Sequence, residues 1–218
     1  MLLVLHIFIF AFYISAAVGT AEAEGATTNS ISYQTGSDFR TGEKERNIIT
    51  LDSLTVEKSH LIYLNVDVQS FDNKESQVIS RILGRYNIVS DKIALTGQLI
   101  NQRGVSSTDV GFGVNLPFGY VSGIDVYKHS DNFLGEGQKV FVYWVYPIKS
   151  TKFQFNGFVE TTWADRMMAS EMILAQPELM YSFTKNLQAG VEYQFYRNKN
   201  GVIGLDENIP QGKLKYVF

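Results

Sequence analysis

His129, Ser130 and Asp131 stand side by side in "YKHSDN", the three residue types of a nucleophilic triad. Successive strand residues point to opposite faces, however, and a triad is assembled in space rather than along the chain. No G-x-S-x-G elbow, no H-E-x-x-H pair and no phosphate-cradling glycine spacing accompanies them. His129 therefore reads as a rim residue where a strand meets an outside loop, and His60 falls in a tight turn. Cysteine is absent, which removes disulfides, thiolate zinc sites and cysteine nucleophiles together. The expectation is a protein that is not an enzyme and that uses no cofactor or metal.

The remaining chemistry is that of binding. Asp67, Glu160, Glu178 and Glu192 alternate with apolar neighbours, as do Arg81 and Arg85. Tyr63, Phe158 and Tyr196 share the same polar faces. Rings interspersed with carboxylates and amides can stack a flat solute and accept hydrogen bonds from its hydroxyls. Charges of both signs are mixed, so such a surface favours neither strong anions nor strong cations. For any one of these residues the plainer role is equally open, an Arg pairing with a Glu across a narrow space.

The elements that position these groups are strands. In "YLNVDVQ" Leu64, Val66 and Val68 alternate with Asn65, Asp67 and Gln69, and "LQAGVEYQFYRN" and "FQFNGFVETTW" repeat the pattern over about ten residues. Alternation of that length suits a tilted strand with lipid on one side and water on the other, whereas ordinary strands average about 5–6 residues. Turn residues divide the chain into twelve such segments, at 29–37, 47–57, 61–71, 77–88, 92–102, 109–118, 120–129, 139–148, 153–163, 171–183, 187–197 and 209–218. Ten strands remain an alternative if 29–37 is a free arm. The inward faces of 47–57 and 139–148, and with them the side taken by Trp144, stay open because a bulge flips register. Tight connections alternate with longer polar ones such as "DFRTGEKER", "SDNFLGEGQ" and "NKNGVIGLDEN". This is the asymmetry of an all-β, antiparallel, Gram-negative outer-membrane barrel with short periplasmic turns.

The ends of the chain agree. "LLVLHIFIFAFYISAAV" followed by small residues reads as an export signal over 1–23, with cleavage after Gly19 or Ala23, and 24–218 forms a single barrel domain. The n-region carries no Lys or Arg, so a retained N-terminal anchor is the alternative. After it no apolar run is long enough for a spanning helix. The final "QGKLKYVF" is itself a strand, and a barrel can end inside its own sheet because the last strand pairs with the first. A net charge of -3 without a basic stripe gives no case for nucleic acid.

"LIYLNVDVQSFDN", "AQPELMYSFTKNLQAGVEYQFYRNKNGV" and "DENIPQGKLKYVF" are similar to parts of the Tsx-like nucleoside-specific channel-forming outer-membrane proteins. The resemblance rests on strand pattern and short words over 28–218. It implies a monomeric twelve-strand barrel that passes nucleosides, with Asp67, Glu178, Glu192, Tyr193, Gln194, Tyr196, Asn198 and Lys199 at matching positions. The aromatic-rich contacts near the family's N-terminus have only Tyr33 and Phe39 to answer them here. The ending also resembles the signal read by the barrel-assembly machinery, with Gln211 as the polar position and Tyr216 and Phe218 as the terminal pair. It departs where Lys213 replaces the usual glycine.

Together these readings predict a passive, substrate-selective outer-membrane channel for nucleosides or similar small polar solutes, surrounded by lipid. Its contacts would come from Tyr63, Asp67, Arg81, Arg85, Phe158, Glu160, Glu178, Glu192 and Tyr196. The alternatives are a closed anchor barrel and, further off, an outer-membrane enzyme.

Overall fold

The computed structural model describes residues 26–38, 43–71, 74–89, 92–102, 105–118, 121–131, 135–164, 172–198 and 207–218. The expected export signal with both cleavage positions, Phe39 and Lys199 lie outside them. No helix among the described residues is long and apolar enough to cross a membrane.

The described chain is built of strands: β1 (Ala26–Asp38), β2 (Glu43–Val56), β3 (His60–Phe71), β4 (Lys74–Val89), β5 (Ile93–Gln102), β6 (Val105–Asn115), β7 (Val121–Asp131), β8 (Gly135–Pro147), β9 (Phe153–Ala164), β10 (Met172–Ala175), β11 (Glu178–Ser182), β12 (Leu187–Asn198) and β13 (Glu207–Val217). Every neighbouring pair is antiparallel, and β13 returns to β1 in an unbroken register from Ser30 opposite Val217 to Gly36 opposite Gln211. The sheet therefore closes on itself and leaves no edge. Because β1 is bonded to both β2 and β13, the ten-strand alternative falls.

β10 and β11 are two halves of one wall strand, which makes the wall twelve strands. Ala175 faces Val159 and Phe195, Glu178 faces Asn156 and Glu192, and the register does not slip between them. The interruption is chemical. Pro177 has no N–H to give. The Tyr193 amide donates to the Pro177 carbonyl at 2.9 Å, and the return bond from position 177 cannot form. Opposite it, Gly157 has φ +149, where a Cβ would lie 2.6 Å from the Gln176 carbonyl and 2.8 Å from the Pro177 Cα. Only glycine takes that conformation readily.

All twelve expected segments are present, most of them longer than the pattern suggested. The nine-residue expectation at 29–37 is a strand of 13 residues, and β4 reaches 16. Strand residues absorb much of the polar connections, so the regular alternation of long and short loops does not survive. At the end away from the described termini, the intervals shrink to 39–42, 72–73, 103–104 and 132–134, and only 165–171 and 199–206 are long.

Outward and inward faces are sharply different. Among the described residues 8 hydrophobic side chains are buried, against 22 polar or charged ones. Large apolar groups such as Leu95, Phe112, Val126 and Val191 stand exposed outside. A soluble barrel keeps its apolar residues within, so this arrangement is inverted. Aromatic rings gather outside near the turns: Phe153, Tyr181 and Phe183 form edge-to-face contacts at 5.0 Å, and Tyr216 and Phe218 lie 6.4 Å apart. The two ambiguous faces are now settled. In β2 Thr50 points inward and Ile49 outward; in β8 Phe141 points inward, while Trp144 packs on outward Phe155 at 5.5 Å.

Candidate functional site in the barrel lumen

The inward face of β4 carries Arg81, Leu83 and Arg85 at spacing two. Arg81 reaches across to Glu160 of β9 at 3.3 Å, with its guanidinium 5.1 Å from the Phe158 ring centroid and 5.6 Å from that of Phe141. In the strand order four strands separate β4 from β9 on one side and, counting β10 and β11 as one, six on the other. The contact is thus a bar across the lumen. Beneath it Leu83 packs on Tyr127 and Phe141, and Arg85 meets Asp125 at 3.1 Å over the Tyr143 ring. Gly123 makes room for that guanidinium, since a Cβ there would lie 2.7 Å from Arg85 Nη1.

This tie divides the interior. The side enclosed by β5 to β8 is filled. Asp125 accepts from Thr96 and Tyr127, and Asp109 accepts from Gln98 at 2.6 Å, Lys139 at 2.7 Å and His129 at 2.5 Å. These groups are no more than 2 % exposed. Buried ions are tolerated only when paired and hydrogen-bonded, and here each is.

The other side, walled by β10 to β13 and β1 to β3, also buries Gln34, Arg46, Gln69, Gln194 and Gln211, but it is looser in keeping several inward groups partly exposed. Lys213 holds Glu178 at 2.6 Å and Glu192 at 3.0 Å, and Asn156 and Gln34 complete that cluster. On β2 and β3 Asp52 accepts from Tyr63 at 2.7 Å and Asn65 at 3.0 Å, while Asp67 accepts from Thr50 at 2.7 Å and Asn65 at 3.2 Å. All four bonds land on Oδ1, so both Oδ2 atoms stay without a protein partner among the described residues. No described Lys or Arg lies within salt-bridge range of either acid. Asp52, Asn65, Asp67, Arg81, Glu160 and Tyr196 all keep some exposure.

All nine expected contact residues point into the lumen, but they do not form one site. Tyr63, Asp67, Arg81, Phe158, Glu160 and Tyr196 border the looser side. Arg85 is locked in the filled side, and Glu178 and Glu192 are clamped by Lys213. Phe158 does not offer the open stacking face expected of it, because Arg81 covers it. His129 lies two residues before the C-terminal end of β7 but points inward, 2 % exposed and bonded to Asp109, while Ser130 faces outward, so the apparent triad is split. Tyr33 also faces outward, where its hydroxyl donates to Asn47. Asp52, Asp109, Lys139 and Phe141 escaped the sequence reading. The first three are hydrophilic residues at spacing two from other inward groups, which is the signal that points to them.

A polar, ion-paired interior inside an apolar, aromatic-rimmed exterior with every strand paired is what lipid demands of a spanning sheet. The chain is an outer-membrane barrel. The outer membrane of a Gram-negative bacterium is its location.

Comparison with solved structures agrees on the fold. The KdgM porin in complex with disordered oligogalacturonate superposes with a TM-score of 0.55 at 10% identity, covering 87% of this chain and 99% of that one. The NanC porin gives 0.53 at 13% identity, over 88% and 98%. The outer membrane channel DcaP of Acinetobacter baumannii gives 0.50 at 11%, over 92% and 99%. At such identities the likeness speaks for the barrel alone. No protein-family model and no curated protein matches the sequence.

Proposed function

We propose that the protein is a passive, solute-selective channel of the outer membrane whose solutes are nucleosides or similar small polar molecules. The observation that carries this reading is the uneven lumen: one side is packed shut, while the other keeps partly exposed carboxylates, amides and rings on its wall. Hydroxyls can donate to Asp52, Asp67 and Glu160, and a flat base can lie against Tyr63, Tyr196 or, once Arg81 withdraws, Phe158. The resemblance to the Tsx-like channels supports nucleosides in particular. An anionic sugar chain such as that held by the KdgM porin suits this passage poorly, because Asp52 and Asp67 face it without a cation. The protein acts as a monomer, and Phe218 with Tyr216 presents the segment read by the barrel-assembly machinery.

Planar-bilayer recording of the refolded mature protein tests this reading. Small conductance steps blocked by adenosine or thymidine and not by glucose are expected. Replacing Asp52, Asp67 and Glu160 together by alanine should weaken that block; a triple variant blocked as the parent is would show that these carboxylates do not hold the solute. Steps that no solute affects point to a general pore. Silence from a folded barrel points to the closed anchor.

A further inference from the structure

We propose that Arg81 is a two-position bar, closing the lumen when it pairs with Glu160 and opening it when it folds back onto Asp52 and Asp67 of its own wall. This rests on the channel reading and deepens it, since it names the group that a solute must displace.

Three independent features of the bar fit such movement. Arg81 and Glu160 retain 13% and 12% side-chain exposure, whereas the partners of the Arg85, Lys139–Asp109 and Lys213 pairs retain 10% or less. The pair that crosses the lumen is therefore also the wettest of these inward pairs, and wet ion pairs are the weakest held. Next, Glu160 has a second cation in Lys139 at 3.5 Å, so withdrawal of Arg81 does not strand a buried carboxylate. Finally, the place to which Arg81 would go is already built.

That place is set by register. Asp52, Asn65 and Arg81 are direct partners across β2, β3 and β4, and Asp67 is the next inward residue beyond Asn65. Strands about 4.8 Å apart put Arg81 and Asp52 roughly 10 Å apart at the backbone, within the joint reach of a guanidinium and a carboxylate. Tyr63, Thr50 and Asn65 orient both carboxylates through Oδ1 and leave both Oδ2 atoms without a protein partner among the described residues. Two neighbouring carboxylates with a free oxygen each suit the several donors of an arginine. Among the other described cations of that wall, Lys213 is held by Glu178 and Glu192 and Arg46 donates to Gln69 at 2.7 Å, while Lys215 lies one inward position beyond Lys213. Withdrawal also uncovers the Phe158 ring, so a solute with a flat ring favours the open position by taking the face the guanidinium leaves.

The test is single-channel recording of Arg81→Gln, Glu160→Gln and the double variant Asp52→Asn with Asp67→Asn, each first shown to be folded by its heat-dependent gel mobility. Arg81→Gln and Glu160→Gln should raise the time-averaged conductance at least about twofold, the second serving if the first folds poorly. The double aspartate variant should lower it, because the open position has lost its anchor. If the parent conducts and is blocked by nucleosides while all three variants match it, the bar is wrong and the channel stands. If the aspartate variant instead conducts like Glu160→Gln, the second position is wrong. If parent and variants are all silent as folded barrels, the channel reading itself fails.

Discussion

The two sides of the lumen are made of the same side chains and use them differently. Between β5 and β8, every named acid has a cation or several donors and is sealed from water; along β2 and β3, two acids are oriented by neutral donors and left without a cation. The difference teaches that a polar barrel interior is not automatically a pore. Twelve strands enclose more width than side chains alone readily fill, and the Arg81, Leu83 and Arg85 face of β4 shuts one side by spanning it.

The sharpest way to break this comparison is to unpair the filled side. In Asp125→Asn the Arg85 guanidinium, 3% exposed, keeps only neutral acceptors. Removing one partner of a buried pair costs about 3–5 kcal/mol, so urea unfolding of the refolded barrel should shift by that much while nucleoside block through the other side persists. A variant of unchanged stability would mean that the filled side is not sealed as described. Gly157→Ala strikes the seam where β9 meets the interrupted wall strand. Its new Cβ would press on the Gln176 carbonyl at a φ of +149, a strain of about 1–3 kcal/mol, again read by urea. Nucleoside block should not change if the seam lies apart from the β2 and β3 wall. Smallest is Pro177→Ala, which restores a donor for the Tyr193 carbonyl. That bond is worth about 0.5–1.5 kcal/mol, and the lost rigidity of proline offsets about 0.4–1 kcal/mol. The two nearly cancel, so stability should change by no more than about 1 kcal/mol; a larger fall would show that the break in the strand is itself required.

Much of the architecture was readable because lipid on one side and water on the other write themselves into the chain with period two. The positions of twelve wall strands, the pairing of the last with the first, and the inward placement of Asp67, Arg81, Glu160, Glu178 and Glu192 follow from that pattern. It failed where both faces are apolar, as in "KVFVYWVYPI", so Phe141 and Tyr143 were not seen to line the lumen. It misjudged loops because strands run on past the apolar belt into polar residues, whose backbone bonds still pair across the barrel.

Which face a residue takes is a local property, set by its neighbours one and two positions away. Which residue it meets across the lumen is not. Arg81 and Glu160 are 79 positions apart and belong to strands that never pair. Their meeting depends on closure of the whole sheet, on its number of strands and on their stagger, and these decide what stands opposite what. The alternating pattern marked both residues as inward; only the closed barrel made them a bar.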